Sequence, residues 1–289
     1  MEQNHIEPVK KEILSGVILE NKEIAGRVFR MVLRSPAGAP LARAGQFVNL
    51  YTNNAALLLP RPVSICDSDG ETLTLVYGVV GKGTAEFSAC KAGDVLRHSM
   101  PLGNGYRLEA ARAGDSALLL GGGIGVPPLL KLCRELRSRG VRVTAVVGFK
   151  DEPFLTEELR EAGAGLYVAT DSGAAGRKGT VLDVVKQESL AADAYFACGP
   201  RPMLRAVCDH VLSCGKDIQL SMEERMGCGY GACVGCVCSV REKTDGRGEK
   251  QNGCSEKQNS YGAEERVVRK KVCKDGPVFM GSEVVWDAD

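Results

Sequence analysis

Apolar side chains in the first hundred residues recur at every second position, and turns containing glycine or proline separate the alternating segments. This alternation predicts strands that bury one face. Several short strands at this spacing are typical of a small antiparallel barrel. We also expect a brief helix at residues 84–90 and a closing turn at residues 103–105. The strands are expected at residues 12–20, 24–33, 46–51, 62–66 and 73–80.

The pattern changes after residue 115 to continuous apolar runs that alternate with longer amphipathic segments. Strands that alternate with helices indicate a parallel sheet with helices on both faces. The expected strands are residues 117–120, 142–149, 165–170, 194–198 and 217–221. The expected helices are residues 126–139, 153–162, 180–188 and 202–214.

A polar stretch interrupts the C-terminal region at residues 242–265, where glycine, lysine, glutamate, asparagine and glutamine dominate. We interpret it as a mobile insertion, because so few apolar side chains cannot stabilise a fold. The three patterns together predict a multi-domain β + α/β protein. Its expected domains are an antiparallel β-barrel at residues 6–112, a parallel α/β domain at residues 113–222, and a small C-terminal domain at residues 223–289 that contains the insertion.

Composition narrows the class of protein. The chain has 289 residues, 44% of them hydrophobic, and a net charge of +1. This charge gives no reason to expect nucleic acid or an acidic membrane surface as a partner. Residues 1–11 lack the apolar core of a signal peptide, and no apolar run reaches the length that spans a membrane. We therefore expect a cytoplasmic protein.

Cysteine usage points to metal or redox chemistry. Twelve cysteines are many for a chain without a secretion signal, which favours such chemistry over a disulfide framework. Cys228, Cys233 and Cys236 have the C-x4-C-x2-C spacing of the plant-type 2Fe–2S loop, and the glycines between them let the backbone wrap closely around a compact group. A structural zinc site is the alternative, although such sites usually show paired C-x2-C motifs.

A 2Fe–2S loop of this type needs a fourth thiolate from further along the chain. Cys238 stands only two residues beyond Cys236, and we leave it out of the set. Cys254 lies in the polar stretch, which would have to fold over the cluster. Cys273 lies in a turn between apolar residues, so we favour Cys273 as the fourth ligand.

Two glycine-containing loops follow expected strands of the α/β region. A helix that starts after small residues is a ready anion site, so a pyrophosphate fits the first loop. That loop lacks the G-x-G-x-x-G spacing, and taken alone it is equally well a structural turn. Both loops fall at the carboxyl edge of the sheet, where open α/β sheets bind ligands, and together they favour a nicotinamide site. The candidate residues are Gly121, Gly122 and Gly123 in the first loop, and Cys198, Gly199 and Pro200 in the second.

The barrel region contains two weaker signals, Arg61–Ser64 at the start of a strand and Gly83–Thr84 at the start of the expected helix. A helix start of this kind also fits a phosphate. A cluster transfers one electron at a time, whereas a nicotinamide takes or gives two as hydride, so a chain with both needs a flavin as converter. The barrel is the domain left to hold that flavin. Since no domain remains for a substrate, the third redox partner should be another protein.

With these motifs in place, the chain resembles the electron-transfer subunits of type B (NAD-dependent) dihydroorotate dehydrogenase, within the ferredoxin-reductase superfamily. Residues 221–228 and 272–279 carry the resemblance most specifically. It implies that Arg61 meets the FAD pyrophosphate and that Ser64 meets the isoalloxazine edge. The full set of FAD residues that it implies is Arg61, Pro62, Val63, Ser64, Val76, Tyr77, Gly78, Gly83 and Thr84. Relatives commonly have arginine where this chain has Gly78.

The resemblance also implies the cluster ligands Cys228, Cys233, Cys236 and Cys273. In this family, electrons pass from the FMN of a catalytic subunit through the 2Fe–2S cluster and FAD to NAD+, while dihydroorotate becomes orotate in de novo pyrimidine synthesis. The implied assembly is a heterotetramer with two subunits of each kind. Two alternatives remain: a reductase subunit of another redox complex, of hydrogenase or ferredoxin:NADP reductase type, and a zinc-stabilised nucleotide-binding module. The residues do not discriminate NAD from NADP.

Overall fold

A computed structural model of the chain describes residues 12–243 and 265–287, and it begins with a closed barrel of six strands. The strands pair antiparallel in the order β1-β2-β5-β4-β3-β6, and β6 pairs with β1 to close the barrel. The antiparallel barrel predicted from the alternating pattern is therefore confirmed. The strands are β1 (Ile13–Ala25), β2 (Val28–Arg34), β3 (Phe47–Tyr51), β4 (Arg61–Ser68), β5 (Thr72–Gly78) and β6 (Val95–Ser99).

Alternation decides which side chains fill the barrel. On β5, Leu73, Leu75 and Tyr77 are buried in the barrel core, where Phe87 of helix α1 (Lys82–Ala89) joins them. The first strand runs five residues beyond its predicted end at residue 20, since two irregularities in its pairing with β2 absorb the break in the apolar pattern. Strand β6 was not predicted, because two of its three buried side chains, His98 and Ser99, are polar and hide the apolar alternation.

The second sheet has seven strands in the order β10-β9-β8-β7-β11-β12-β15. The first six pair parallel, as predicted, and apolar layers cover both faces of the sheet. Its strands are β7 (Ser116–Gly122), β8 (Arg142–Phe149), β9 (Gly165–Thr170), β10 (Arg177–Lys178), β11 (Ala194–Cys198), β12 (Ile218–Ser221) and β15 (Val278–Met280). Its helices are α2 (Pro127–Ser138), α3 (Thr156–Glu161), α4 (Val181–Gln187) and α5 (Arg201–Ser213).

The strand order of this sheet places its ligand-binding crevice. From β7 the chain moves outward through β8 and β9, and it then returns to the other side of β7 with β11 and β12. The connections therefore reverse direction between β7 and β11. Open α/β sheets bind ligands at the carboxyl ends of the two strands that flank such a reversal.

Helix α2 joins the barrel to the sheet by packing against β4. Lys131 Nζ donates a hydrogen bond of 2.9 Å to Ser68 Oγ, and Arg134 forms an ion pair with Asp67. From the sheet side, the Tyr106 hydroxyl donates to the Ala197 carbonyl at 3.0 Å. These contacts hold the carboxyl end of β7 beside the barrel.

The C-terminal region adds a two-stranded antiparallel sheet, β13 (Val237–Lys243) with β14 (Glu265–Lys271). Residues 244–264, which include most of the predicted insertion and Cys254, lie outside the described residues. Strand β15 then returns to the large sheet and pairs antiparallel with β12. The sequence pattern did not predict that strand. No helix in the described part of the chain is long and apolar enough to cross a membrane.

Candidate functional site

The two-stranded sheet brings Cys236 and Cys273 together. Strand β13 begins directly after Cys236, and β14 ends two residues before Cys273. The register pairs Val237 with Lys271, and the Val272 N–H donates to the Cys236 carbonyl at 2.7 Å. The two thiols are buried against one another, although they lie far apart in sequence.

Cys228 and Cys233 form a second pair. The N–H groups of Tyr230 and Cys233 each donate to Cys228 Sγ at 3.4 Å. Such bonds stabilise a thiolate, which is the form of cysteine that binds metal. The pKa of Cys228 falls to about 6. Burial is the largest single influence and raises it, but the hydrogen bonds from the backbone N–H groups of Cys233, Tyr230 and Ala232 and from the Cys233 side chain lower it further in sum.

Glycines let the backbone of this loop approach its neighbours. Gly229 has φ of +73°, and a Cβ there would lie 2.7 Å from Asn49 Oδ1. Gly231 has φ of +82°, and a Cβ there would lie 2.8 Å from the side chain of Lys274. Both positions combine a left-handed conformation with a close contact, so the glycines predicted to let the loop turn are required by the geometry.

The four predicted ligands therefore lie as two contacting pairs. The charge of Cys228 also acts on Cys273, which places the two pairs near one another. Burial, followed by the neighbouring Cys236, raises the pKa of Cys273 to about 12, and a bound cation relieves this crowding of thiols. Two thiolates for each of two irons is the arrangement that a 2Fe–2S cluster requires. Within residues 12–243 and 265–287, no three metal-binding side chains converge on a single ion.

Cys238, which was left out of the ligand set, lies on β13 opposite Lys270 and is buried. The alternative ligand Cys254 lies outside the described residues.

The predicted phosphate residues of the barrel lie side by side. A Cβ on Gly83 would lie only 2.5 Å from Cζ of Arg61, so the guanidinium rests directly on the first turn of α1. Thr84 Oγ1 accepts hydrogen bonds from the N–H groups of Val80 at 3.0 Å and Gly81 at 3.2 Å, which fixes the start of the helix. The remaining amides of the first turn and the guanidinium are the groups that an anion site requires, and here they lie together.

Strand β4 divides its predicted flavin residues between two faces. Val63 points into the barrel core. Pro62 and Ser64 lie on the outer face, directly opposite Asn49 and Phe47 of β3. This outer face adjoins the cysteine loop, since Asn49 contacts Gly229.

Strand β5 carries three further residues that the resemblance implies for FAD. The Tyr77 side chain lies inside the barrel, where its hydroxyl donates to Asn21 Oδ1 at 3.0 Å and its ring stacks on Phe29 at 6.0 Å. Only its backbone remains to contact a cofactor. Val76 is buried against the core of the large sheet. A Cβ on Gly78 would lie 3.9 Å from its nearest neighbour, so there is open space at this position.

The two predicted nicotinamide loops touch at the reversal point of the sheet. The register places Gly121 beside Cys198 on neighbouring strands. A Cβ on Gly125 would lie 2.5 Å from the Cys198 carbonyl carbon, and one on Gly122 would lie 2.6 Å from Met203 Sδ. Only glycine permits this approach of the two backbones. Gly199 and Pro200 follow directly, while Gly123 has φ of +52° and open space above it.

Three residues that support the cysteine loops were not predicted as functional. Asn49 Nδ2 donates to the Cys228 carbonyl at 3.0 Å, and the hydroxyls of Tyr51 and Tyr230 are 2.7 Å apart. Asn104 Nδ2 donates to the Val278 carbonyl at 2.8 Å, beyond the fourth cysteine. The sequence offers no signal for these contacts, because each joins residues more than 170 positions apart.

Comparison with known proteins supports the same assignment of the cysteine loop. Residues 223–256 match the family model of the iron-sulfur cluster binding domain of dihydroorotate dehydrogenase B. The electron transfer subunit of dihydroorotate dehydrogenase B (NAD(+)) from Geobacillus thermodenitrificans strain NG80-2 is 41% identical over 273 residues, covering 93% of this chain and 96% of the relative. The corresponding subunit from Bacillus cereus strain B4264 is 41% identical over 274 residues, covering 93% and 97%.

Solved structures agree on the fold. The NADH-dependent reduced ferredoxin-NADP oxidoreductase, a flavin-based electron-bifurcating protein, aligns with a TM-score of 0.75 and 28% identity, over 94% of this chain and 90% of that one. Phthalate dioxygenase reductase aligns with a TM-score of 0.59 and 19% identity, over 80% and 87%. The second likeness concerns the fold alone. Barrel, parallel sheet and C-terminal cysteine region together make the fold ferredoxin-reductase-like, as expected.

Proposed function

The chain belongs to the family of electron transfer subunits of dihydroorotate dehydrogenase B, and from this premise we propose which of its residues hold the cofactors and where its partner docks. Its function is electron transfer in an NAD-dependent oxidoreductase. The observation that carries the proposal is that Cys273 joins the cysteines of the loop 228–236, so that four cysteines form two contacting pairs beside the barrel.

The cluster site consists of Cys228 with Cys233 for one iron and Cys236 with Cys273 for the other. When bound, the cluster supplies single-electron transfer, and FAD exchanges single electrons for hydride. The amides of the cysteine loop stabilise the thiolates, and burial of Cys236 and Cys273 excludes water from one side of the site.

The FAD site uses the anion site of the barrel for the pyrophosphate. Arg61 supplies the positive charge, and Gly83 leaves the room in which the guanidinium lies against the helix start. Thr84 keeps that helix start in shape. Pro62 and Ser64 then line the flavin ring on the face next to the cysteine loop. The backbone of residues 76–78 completes this side of the site.

NAD+ binds across the reversal point of the large sheet, over Gly121–Gly123 and Cys198–Pro200. The support for this placement is the direct contact of the two loops between β7 and β11. The joint of α2 with β4 holds this crevice beside the barrel.

The relatives are named as subunits, which implies a catalytic partner. We propose that this partner is the FMN-bearing dihydroorotate dehydrogenase subunit, joined in a heterotetramer of two subunits of each kind. The complex would act in the cytoplasm in de novo pyrimidine synthesis. Val234, between the proposed ligands Cys233 and Cys236, is 74% exposed and offers an apolar contact on the surface of the cysteine loop.

Anaerobic copurification tests this function. We expect about two iron and two sulfide per FAD, as one 2Fe–2S cluster per flavin requires, together with a partner that reduces NAD+ when dihydroorotate is added. A purified protein that holds FAD and cluster but accepts electrons only from reduced ferredoxin would favour a ferredoxin:NADP reductase role. A protein with zinc and no flavin absorbance would refute both.

Substitution of Val234 tests the docking surface. Val234→Asp should weaken association with the catalytic partner by about tenfold or more, since a charge in the middle of an apolar contact must be desolvated. Val267→Asp is the matched control, because Val267 is also exposed but lies along β14, five positions from Val272. Equal partner affinities of the two variants would place the docking surface elsewhere.

A further inference from the structure

Asn49 is a buried polar residue of the barrel whose side chain reaches the cysteine loop. It lies on the outer face of β3 between the core residues Val48 and Leu50, and it is 0% exposed. Its Nδ2 donates to the Cys228 carbonyl at 3.0 Å. Its Oδ1 has no hydrogen-bond partner in the part of the chain that the structure describes.

We propose that Asn49 is a positioning residue that raises the reduction potential of the cluster by holding the Cys228–Gly229 peptide in place. This inference rests on the proposed function, since it requires that Cys228 is a cluster ligand. Asn49 acts through the backbone of the loop, because its side chain donates to the Cys228 carbonyl and not to a cysteine sulfur.

The contact controls where the following amides point. Asn49 fixes the carbonyl of Cys228, and this sets the peptide that leads into the left-handed Gly229. The next N–H groups, of Tyr230 and Cys233, then reach Cys228 Sγ at 3.4 Å. Hydrogen bonds to a ligand sulfur stabilise the reduced cluster, which carries one more negative charge. A peptide that is free to rotate turns these amides away and lowers the potential.

The unpartnered Oδ1 indicates that Asn49 does more than fill space in the fold. A buried acceptor without a partner costs stability, so a side chain chosen only for packing would be apolar at this position. Pro62, opposite Asn49 on β4, has no N–H to donate to it. Asn49→Leu removes the unpartnered acceptor Oδ1. It also removes the donor of the Cys228 carbonyl, which then becomes an unpartnered acceptor in its place. The stability of the folded chain should therefore change little.

A second contact keeps the loop docked when Asn49 is replaced. Tyr51 lies two positions further on the same face of β3, and its hydroxyl meets that of Tyr230 at 2.7 Å. The variant loop therefore stays on the barrel while the Cys228–Gly229 peptide is released. Asn49 also shares the outer face of β3 and β4 with Ser64, so the same contact fixes the spacing between the flavin strand and the cluster loop.

A redox titration monitored by electron paramagnetic resonance on the anaerobically purified complex tests the proposal. Asn49→Leu should shift the one-electron equilibrium of the cluster about tenfold toward the oxidised form, or ~59 mV lower in potential. Its thermal midpoint should match that of the wild type. Gln219→Leu is the matched control, because this buried carboxamide bonds both backbone groups of Arg107 instead of the cysteine loop. It should lower the thermal midpoint and leave the potential unchanged.

A second pair of variants keeps the test decisive if Asn49→Leu retains too little iron. Gly229→Ala presses a Cβ into the Asn49 carboxamide and should lower the potential as well. In an Asn49→Ala background the added methyl has room, so the same substitution should lower the potential less. Equal shifts in both backgrounds, or a wild-type potential in Asn49→Leu, would overturn the inference. A wild-type protein without any cluster would instead overturn the proposed function.

Discussion

The nicotinamide loops and the cysteine loops are built in opposite ways. The nicotinamide loops lie at the ends of two adjacent parallel strands, and their contacts come from the sheet that carries them. The cysteine loops take their supports from elsewhere: Asn49 and Tyr51 of the barrel hold the first, and β15 joins the last to the large sheet. The first site is a property of one fold, whereas the second exists only where three parts of the chain meet.

The turn that closes the barrel shows the same dependence. Asn104 bonds the carbonyls of Asp275 and Val278 through Nδ2, and it accepts from the Val278 N–H at 3.1 Å. Its own N–H donates to the Gly276 carbonyl at 2.7 Å. Hydrogen bonds to Asn104 therefore hold the segment after Cys273 against the barrel. The C-terminal cysteine region carries the proposed ligands, but the barrel and the large sheet hold it in place.

The largest expected effect concerns the ligand at the far end of the cysteine region. Cys273→Ser should abolish the visible absorbance and the paramagnetic signal of the cluster, because one iron loses half of its protein ligands. The FAD content and NADH binding should remain, since their sites lie in the barrel and the large sheet. Cys254→Ser is the control and should retain the cluster. An intact cluster in Cys273→Ser with loss in Cys254→Ser would reverse the ligand assignment.

The next effect tests the anion site of the barrel. Gly83→Ala should raise the FAD dissociation constant by about tenfold or more, equivalent to about 1.4 kcal/mol, because the Cβ displaces the Arg61 guanidinium. Alanine at this helix position does not weaken the helix itself. Gly81→Ala has extended backbone and open space, so it should bind FAD as the wild type does. Fluorescence titration of the apoprotein measures both constants; similar values would remove Arg61 from the site.

A smaller effect is expected where the two nicotinamide loops touch. Gly125→Ala should raise the NADH dissociation constant several-fold, because the Cβ meets the Cys198–Gly199 backbone, which cannot rotate away. Gly165→Ala is the control within the same sheet, with its nearest neighbour at 3.7 Å. The cluster potential should be unchanged in both variants. A shift of the cluster potential in Gly125→Ala would show that the nicotinamide loops and the cysteine loops are not independent of one another.

The smallest effect is local to α4. Hydrogen bonds from the Thr180 N–H and hydroxyl, both at 2.8 Å, lower the pKa of Asp183. The ionised carboxylate therefore stabilises the fold at neutral pH, and this contribution is lost as the pH falls below the ordinary aspartate value of about 3.9 toward the lowered pKa. Asp183→Asn should cost less than about 1 kcal/mol because the carboxylate is exposed.

Chemical denaturation at several pH values measures this difference. The gap between wild type and Asp183→Asn should be largest near pH 7 and vanish in strong acid. Asp209→Asn, on the exposed face of α5, is the control for removing a surface carboxylate. A gap that grows toward acid would contradict the assigned direction of the pKa shift.

Local patterns were sufficient to predict the sheet and its loops. Three predicted strands, 142–149, 165–170 and 194–198, match β8, β9 and β11 at both ends. The reason is physical: buried parallel strands are continuous apolar runs that end where ligand loops begin. The spacing of Cys228, Cys233 and Cys236 is equally local, because one loop of nine residues contains all three.

Features that depend on distant partners were beyond the sequence. Strand β15 has three residues and gains its ladder only by pairing with β12. Asn49 reads as an ordinary strand residue until Gly229 packs against it. Tyr77 was expected at the flavin, but the alternation of β5 turns its ring into the barrel core. For β15 and Asn49 the deciding contact joins segments that no local pattern relates, whereas the position of Tyr77 follows from the local alternation of β5.

Strands β13 and β14 hold the proposed ligands at one end of the pair only, and the other end contacts none of them. The thiols of Cys236 and Cys273 lie at the Val237–Lys271 end of the pair. At the other end, Lys243 lies opposite Glu265. At ~3.3 Å per residue, the two ends of the pair are about 20 Å apart. A change made at those two positions reaches the proposed ligands only through the length of the two strands. This end of the hairpin is therefore a tolerant graft point, where a peptide tag or fluorophore can be spliced in or the connection cut to a tight turn.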